Sequence, residues 1–197
     1  SKGERALKNT LLRYLAIEGD EEGIGLSLSQ FRNAGNMTDE LAALSCLSDL
    51  RDERAAYALD AFYEKWTSED LVIDKWFAVQ ALSQRNDVLS HVLRLSNHGA
   101  FNRKNPNRLR SLIGSFAFGN QRAFHDETGA GYRFLKDEVL GVDRFNPQAA
   151  ARLLAPLGRW RRFPESRGSL MRGALKEIVE APSVSKDVYE IASKSLA

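Results

Sequence analysis

Apolar residues recur along the chain at spacings of three and four, and strict alternation is almost absent, so the pattern predicts helices throughout. Over residues 2–18, Ala6, Leu7, Leu11, Tyr14 and Leu15 fall on one side of a helix. After "EGDEEG" a second helix is expected through "GLSLSQFRNA", stopping near Gly35. Thr38 reads as the N-cap of a third, with Asp39 and Glu40 in its first turn complementing the helix dipole. Leu41, Leu44, Ser45 and Leu47 carry that helix toward Leu50. Residues 53–66 repeat the pattern with Ala56, Leu59, Phe62, Tyr63 and Trp66. Ser68 is placed to cap "EDLVIDKWFAVQALS", whose Leu71, Val72, Ile73, Trp76, Phe77, Val79 and Leu82 leave little polar surface and predict burial between neighbours. The rest reads as "NDVLSHVLRLSNH", a helix opening at Asn105-Pro106, a loop near "NQRAFHDETGAG", and a helix around "YRFLKDEVLGV". A helix opening at Asn146-Pro147, then "SRGSLMRGALKEIVEA" and "SKDVYEIASKSLA", complete it.

This amounts to about eleven short helices with short connections, in pairs recurring at roughly 35 to 40 residues, the period of helical-repeat solenoids. Asn105-Pro106 and Asn146-Pro147 lie 41 residues apart, as equivalent positions in successive repeats would. The expected fold is all-α, an irregular α-solenoid of antiparallel helix pairs of armadillo or HEAT type, with residues 1–197 forming a single helical-repeat domain. No consensus repeat motif is matched, and a compact bundle is the alternative.

Composition adds bounds. A chain of 197 residues, 43% hydrophobic and 27% charged, can bury a substantial core and argues against long disorder. No apolar run approaches the roughly 20 residues that span a bilayer, and the opening "SKGERALKNT" lacks the apolar stretch of a secretory signal. The lone cysteine, Cys46, forms no disulfide within the chain and points to a reduced compartment, the cytoplasm; its apolar surroundings suit a structural thiol. The net charge of +2 conceals an asymmetry: residues 1–100 carry 11 Lys and Arg against 16 Asp and Glu, whereas residues 101–172 carry 14 against 6. A basic segment of this kind suits an anionic partner or, equally, a solvated face with none.

Two helix starts carry the candidate chemistry. Asn accepts from a first-turn amide, and Pro at the first helical position has no donor to leave unpaired, so Asn-Pro is a sound start signal in itself. Each start also keeps polar company: Arg110 lies four residues past Pro106, Gln148 follows Pro147 directly, and Arg152 lies five past it. Guanidinium groups near helix N-termini suit a carboxylate or a peptide carbonyl, and the Gln148 amide can both donate and accept. No zinc motif of the H-E-x-x-H type, no Gly-rich phosphate loop and no G-x-S-x-G occurs. His91, His98 and His125 have no common metal-ligand spacing, so no catalytic or metal-ligating residue is assigned and the chain by itself does not read as an enzyme. "RWRRF" at 159–163 admits two readings: a nucleic-acid patch, or a helix C-terminus whose cations complement the dipole with Trp160 tucked inward. No helix-turn-helix supports the first, and neither nucleic acid nor membrane is an expected partner.

The blocks "NMTDELAALSCL", "DLVIDKWFAVQAL", "NPNRLRSLIGSFAFGN", "GAGYRFLKDEVL", "NPQAAARLLAPLGRWRRF" and "VYEIASKSLA" resemble, in order and over nearly the whole chain, the C-terminal domain of the bacterial aminopeptidase N family. Members are zinc metallopeptidases that remove N-terminal residues from peptides. The resemblance implies a superhelix of helix pairs packed over a catalytic domain of the same parent chain, closing the active site into a chamber. The zinc and its motif belong to that preceding domain, and no cofactor is implied here. By position in the motif, Arg110, Gln148 and Arg152 match residues that face peptide substrate beyond the scissile bond. The alternative is a stand-alone helical scaffold binding a protein or peptide on its basic face.

Overall fold

A computed structural model describes all 197 residues, which form helices and no strands. The chain divides into two compact units, Ser1–Asp87 and Val88–Ala197. The expected all-α, armadillo-like architecture is what the structure shows.

The first unit holds α1 (Lys2–Ala16), α2 (Glu21–Asn33), α3 (Met37–Leu47), α4 (Glu53–Trp66) and α5 (Asp70–Ala81). Helices α1, α2 and α3 pack on one another, and α3 also packs on α4 and α5. Leu44, Leu47, Phe62, Ile73 and Phe77 are its buried centre. Trp76 is buried too and donates its indole N–H to the Leu59 carbonyl at 2.9 Å, tying α5 to α4.

Helix α1 departs from expectation. Leu7, Leu11, Tyr14 and Leu15, the expected inner face, are exposed, and Leu12 alone is buried. Periodicity shows that a helix has an apolar side but not which side meets a neighbour. A polar network joins buried Leu12 in holding α1. The Asp39 carboxylate accepts from Lys8 at 2.6 Å, from Asn9 at 3.0 Å and from Asn36 at 3.1 Å. Gln30 donates to Asn9 at 2.9 Å and to the Asp39 carbonyl at 3.0 Å, so one network joins all three helices. The Lys8 hydrogen bond, with those of the two asparagines, holds the Asp39 carboxyl down at about 2. Close approach of backbones helps: a Cβ on Gly23 would stand 2.3 Å from the Leu15 carbonyl oxygen.

Two caps also differ. Asn36, not Thr38, caps α3, its side chain accepting from the Asp39 amide at 3.0 Å while Thr38 lies inside the helix. Helix α5 begins after Glu69 with no side-chain cap, so Ser68 does not serve. Helix α2 starts earlier than expected, because Asp20 caps it through the Gly23 amide at 2.8 Å. Helix α5 is buried on one side only, with Leu71 and Leu82 exposed. Cys46 is half-buried rather than enclosed, and burial pushes its thiol up.

The second unit holds α6 (Val88–Leu95), α7 (Pro106–Leu109), a π-helix (Arg110–Gly119), α8 (Gln121–Phe124), α9 (Ala130–Asp143), α10 (Pro147–Leu153), a 3-10 segment (Leu157–Arg162), α11 (Glu165–Val179) and α12 (Lys186–Leu196). Its twelve-helix total for the chain exceeds the expected eleven or so because the loop near "NQRAFHDETGAG" contains α8. Its core runs from Leu112, Ile113 and Phe116 through Phe124, Tyr132 and Leu135 to Leu154, Leu157 and Met171.

Long-range hydrogen bonds recur at the repeat spacing. In the first unit Ser83 donates to the Ser48 carbonyl, and the Gln84 amide to Asp49, each 35 residues back. In the second, Arg103–Glu138 and Trp160–Ser195 are also 35 apart, while Lys136–Glu177 is 41 and His125–Arg167 is 42. Equivalent positions in successive helical repeats meet this way.

Candidate functional site

The two Asn-Pro starts form as expected. Asn105 accepts from the Asn107 amide at 2.9 Å and the Arg108 amide at 3.4 Å, and Asn146 accepts from the Ala149 amide at 3.1 Å. Pro106 and Pro147 take the first helical positions. Beyond the starts the two segments diverge. Helix α10 stays α-helical for seven residues, whereas α7 gives way after Leu109 to a π-helix of ten.

The π-helix is the feature that apolar spacing did not reveal, since Leu112, Ile113, Phe116 and Ala117 are buried at intervals an α-helix would also give. Ser115 donates its hydroxyl to the Arg110 carbonyl five residues back, the π spacing, at 3.5 Å. Such turns are rare and concentrate at functional sites.

Arg110 opens this π-helix. It is exposed, and its guanidinium bends back to donate to the Pro106 carbonyl at 3.3 Å and to the Asn107 side-chain oxygen. Those bonds fix its direction and leave part of its donor set to solvent. Gln148 and Arg152 sit on α10 at i and i+4, hence on the same face. Both are exposed, and neither makes a hydrogen bond or ion pair within the chain. The structure thus brings Gln148 and Arg152 together. Arg110 stands on a separate segment, and the π-helix and α10 each pack on α9.

The second unit also holds an aromatic cluster. Phe116 meets Phe124 and Phe134 edge-on at 5.9 and 5.7 Å, and Phe124 meets Tyr132 at 5.3 Å. His125 stacks on Phe163 at 4.1 Å, and its Nδ1 lies 2.9 Å from the Tyr132 hydroxyl. Arg167 donates to the His125 carbonyl at 2.7 Å. Burial, with a smaller contribution from the Arg167 charge, pushes the His125 imidazole down to about 4, so it is neutral at pH 7.

Much of the basic segment is consumed internally. Arg103 pairs with Glu138 at 3.0 Å, Lys136 with Glu177 at 2.7 Å and Arg172 with Glu165 at 3.2 Å. The "RWRRF" cluster closes a helix end, though not its own. Trp160 donates to the Ser195 carbonyl at 2.9 Å, and Arg161 reaches the Ser195 and Leu196 carbonyls at 3.3 Å each, at the last turn of α12. Arg161 also lies 4.2 Å over the Trp160 ring. Arg144, Arg152, Arg159 and Arg162 are exposed without an ion pair.

No three His, Cys, Asp or Glu side chains converge on a point that could hold a metal ion, so the donor set of these residues does not fit zinc. His91 lies beside Arg94 at 3.0 Å and His98 accepts from the Ala100 amide at 3.1 Å. No helix is long and apolar enough to cross a membrane.

Comparison with known proteins places this arrangement. Residues 1–197 match the family described as "Domain of unknown function (DUF3458_C) ARM repeats". The chain is 45% identical to aminopeptidase N of Caulobacter vibrioides over 194 residues, 98% of this chain and 22% of the relative. It is 44% identical to the Haemophilus influenzae aminopeptidase N and 41% to that of Escherichia coli, again over 98% of this chain and 22% of each. The chain therefore spans about a fifth of the length of the curated relatives it matches. Among solved structures, Legionella pneumophila aminopeptidase A in complex with aspartic acid superposes with a TM-score of 0.91 at 34% identity, over 98% of this chain and 23% of that one. Sequence match, fold and repeat-spaced hydrogen bonds agree: the chain belongs to the DUF3458_C family of ARM-repeat domains, and is similar throughout to the C-terminal domain of bacterial aminopeptidase N.

Proposed function

We propose that residues 1–197 act as one non-catalytic C-terminal domain of a zinc-dependent, cytoplasmic aminopeptidase N. The domain caps the active-site chamber formed with the catalytic domain of the same parent chain, which holds the zinc. Arg110, Gln148 and Arg152 help position peptide substrates for removal of N-terminal residues.

The observation that carries this reading is the pair Gln148 and Arg152, side by side on α10 with their polar groups unspent. An amide that donates and accepts, next to a guanidinium, matches a peptide backbone ending in a carboxylate. Their work is positioning rather than bond-making: they hold the downstream part of the peptide while the chemistry proceeds elsewhere.

The test is Arg152→Ala in the full-length enzyme. Losing a charge-assisted contact costs about 1.5–3 kcal/mol. KM should rise roughly ten- to a hundredfold for di- and tripeptides. A chromogenic substrate with no residue beyond the scissile bond should be nearly unaffected. Equal losses on both substrates would defeat the proposal.

A second reading, a stand-alone scaffold for a protein or peptide, draws on the unpaired Arg144, Arg152, Arg159 and Arg162. The mass of the native polypeptide separates the two. A chain several times longer than 22.0 kDa favours the enzyme domain, and one of that size favours the scaffold.

A further inference from the structure

The cations of the basic segment fall into two groups. Arg103, Lys136 and Arg172 are spent on carboxylates, whereas Arg152, Arg159 and Arg162 are exposed without an ion pair. No acidic residue occurs between Arg144 and Glu165, and Glu165 is itself paired with Arg172.

The three free arginines form a row. Helix α10 runs into the 3-10 segment through residues 154–156 without losing helical phase. The Gly158 amide donates to the Leu154 carbonyl at 3.1 Å, and the Arg159 amide donates to the Pro156 carbonyl at 3.3 Å. Ala150, Leu153, Leu154 and Leu157 are buried at helical spacing across the joint. Gln148, Arg152, Ala155, Arg159 and Arg162 are exposed, at intervals of four, three, four and three. Arg159 and Arg162 stand one above the other, because side chains three apart eclipse on a 3-10 helix. Arg161, between them, is taken up by the carbonyls that end α12.

The row has a length that an extended peptide can match. Arg159 lies seven residues past Arg152, about 10 Å at a rise of about 1.5 Å per residue. That is about three residues of extended peptide at about 3.3 Å each. Arg162 is about 6 Å further on a 3-10 rise, close to two more extended residues. Residues two apart in an extended chain share a side, so one peptide can address both arginines.

We infer that Arg159 and Arg162 continue the downstream peptide site opened by Gln148 and Arg152, and that they select peptides with acidic side chains about three and five residues beyond the one that Arg152 holds. The inference rests on the reading of Gln148 and Arg152 as positioning residues. Guanidinium forks match carboxylates in bidentate geometry. One exposed pair contributes little, so selection takes the row rather than any single arginine. An acidic peptide fits better than a nucleic acid, because the two aromatics of the segment are occupied. Arg161 and Arg172 lie over the Trp160 ring at 4.2 and 5.1 Å, and Phe163 is stacked on His125 at 4.1 Å, so neither ring is presented to a base.

The test compares two eight-residue peptides on the full-length enzyme, identical except for Glu or Gln at the fifth and seventh positions, with Arg152 taken to hold the second. At low salt kcat/KM should favour the Glu peptide by roughly 3- to 10-fold, through KM, and added salt should shrink the preference. The double variant Arg159→Gln/Arg162→Gln should bring the ratio to about one, and Arg159→Lys/Arg162→Lys should keep most of it. Each ratio is read on one enzyme, so a loss of folded protein cancels. A wild-type ratio of one would overturn the inference, and so would a preference that survives the double Gln variant. A single-stranded oligonucleotide that binds more tightly than the Glu peptide, and is lost in the Gln variant, would overturn it by assigning the row to nucleic acid. Arg152→Ala answers separately. If it raises the dipeptide KM while the eight-residue ratio is one, this inference fails alone. If it leaves the dipeptide KM unchanged, the positioning reading fails and this inference with it.

Discussion

Asp143, in the last turn of α9, accepts a hydrogen bond from the backbone N–H of Ser185 at 2.8 Å, 42 residues further along the chain. Ser185 is the N-cap of α12 and accepts in turn from the Val188 amide at 3.3 Å. The end of one repeat therefore positions the start of a helix in the next. The carboxylate is buried, and its other oxygen has no partner within the chain.

Asp143→Ala should accordingly destabilise the protein by about 1–3 kcal/mol, because it leaves the Ser185 amide without its acceptor. Thermal unfolding followed by circular dichroism measures this directly. A midpoint within error of the wild type would mean that the bond makes no net contribution.

Glycine 131 lies where two backbones meet. A Cβ there would stand 2.4 Å from the Phe124 carbonyl oxygen, and no side-chain rotation can relieve that contact. Gly131→Ala should cost about 1–3 kcal/mol as α9 is forced away from α8. Gly25, inside α2, has nothing within 4 Å of such an atom. There Gly25→Ala should stabilise by about 0.5–1 kcal/mol, through helix propensity alone. Opposite signs at two glycines, read from urea unfolding curves, distinguish close approach from chain entropy.

His125 makes stability depend on pH. Its folded value of about 4 lies below the ordinary 6.5, so between those values the unfolded chain binds more protons than the folded one. Stability from this residue is complete above pH 6.5 and is lost as pH falls toward 4. His125→Gln should flatten the thermal midpoint across that window. Below it, Asp39 and Asp87, both held down at about 2, impose their own decline between pH 3.8 and 2, which the substitution leaves intact. A variant with the same slope between pH 6.5 and 4 would assign that slope to other groups.

Local features were readable from residue types. The helix expected over 53–66 spans Glu53–Trp66, and Asn105 and Asn146 cap the helices that their prolines open. These depend on atoms within a few residues of one another. Thr38 and Ser68 were plausible caps by the same rule, but a better-placed competitor or none took the role. Asn36 prevailed because it accepts from the Asp39 amide and donates to the Asp39 carboxylate. Of the candidate site, the two Asn-Pro starts were legible from residue type, whereas Arg110, Gln148 and Arg152 were named by position in the motif that the chain resembles. The return of Arg110 onto Asn107 was not legible, nor was the π-helix that begins with it.

By itself, then, the sequence determined an all-helical chain, the starts of many of its helices and a repeat length near 40 residues, because each follows from short-range hydrogen bonding and side-chain period. Tertiary structure decided which apolar faces are covered. It left Leu7, Leu11 and Leu15 outward while drawing Trp160 and Arg161 onto the carbonyls that end α12. Those outcomes turn on partners 31 to 42 residues away, such as Lys8 with Asp39 and Asp143 with Ser185. Periodicity within one helix carries no information about which distant residue will arrive beside it.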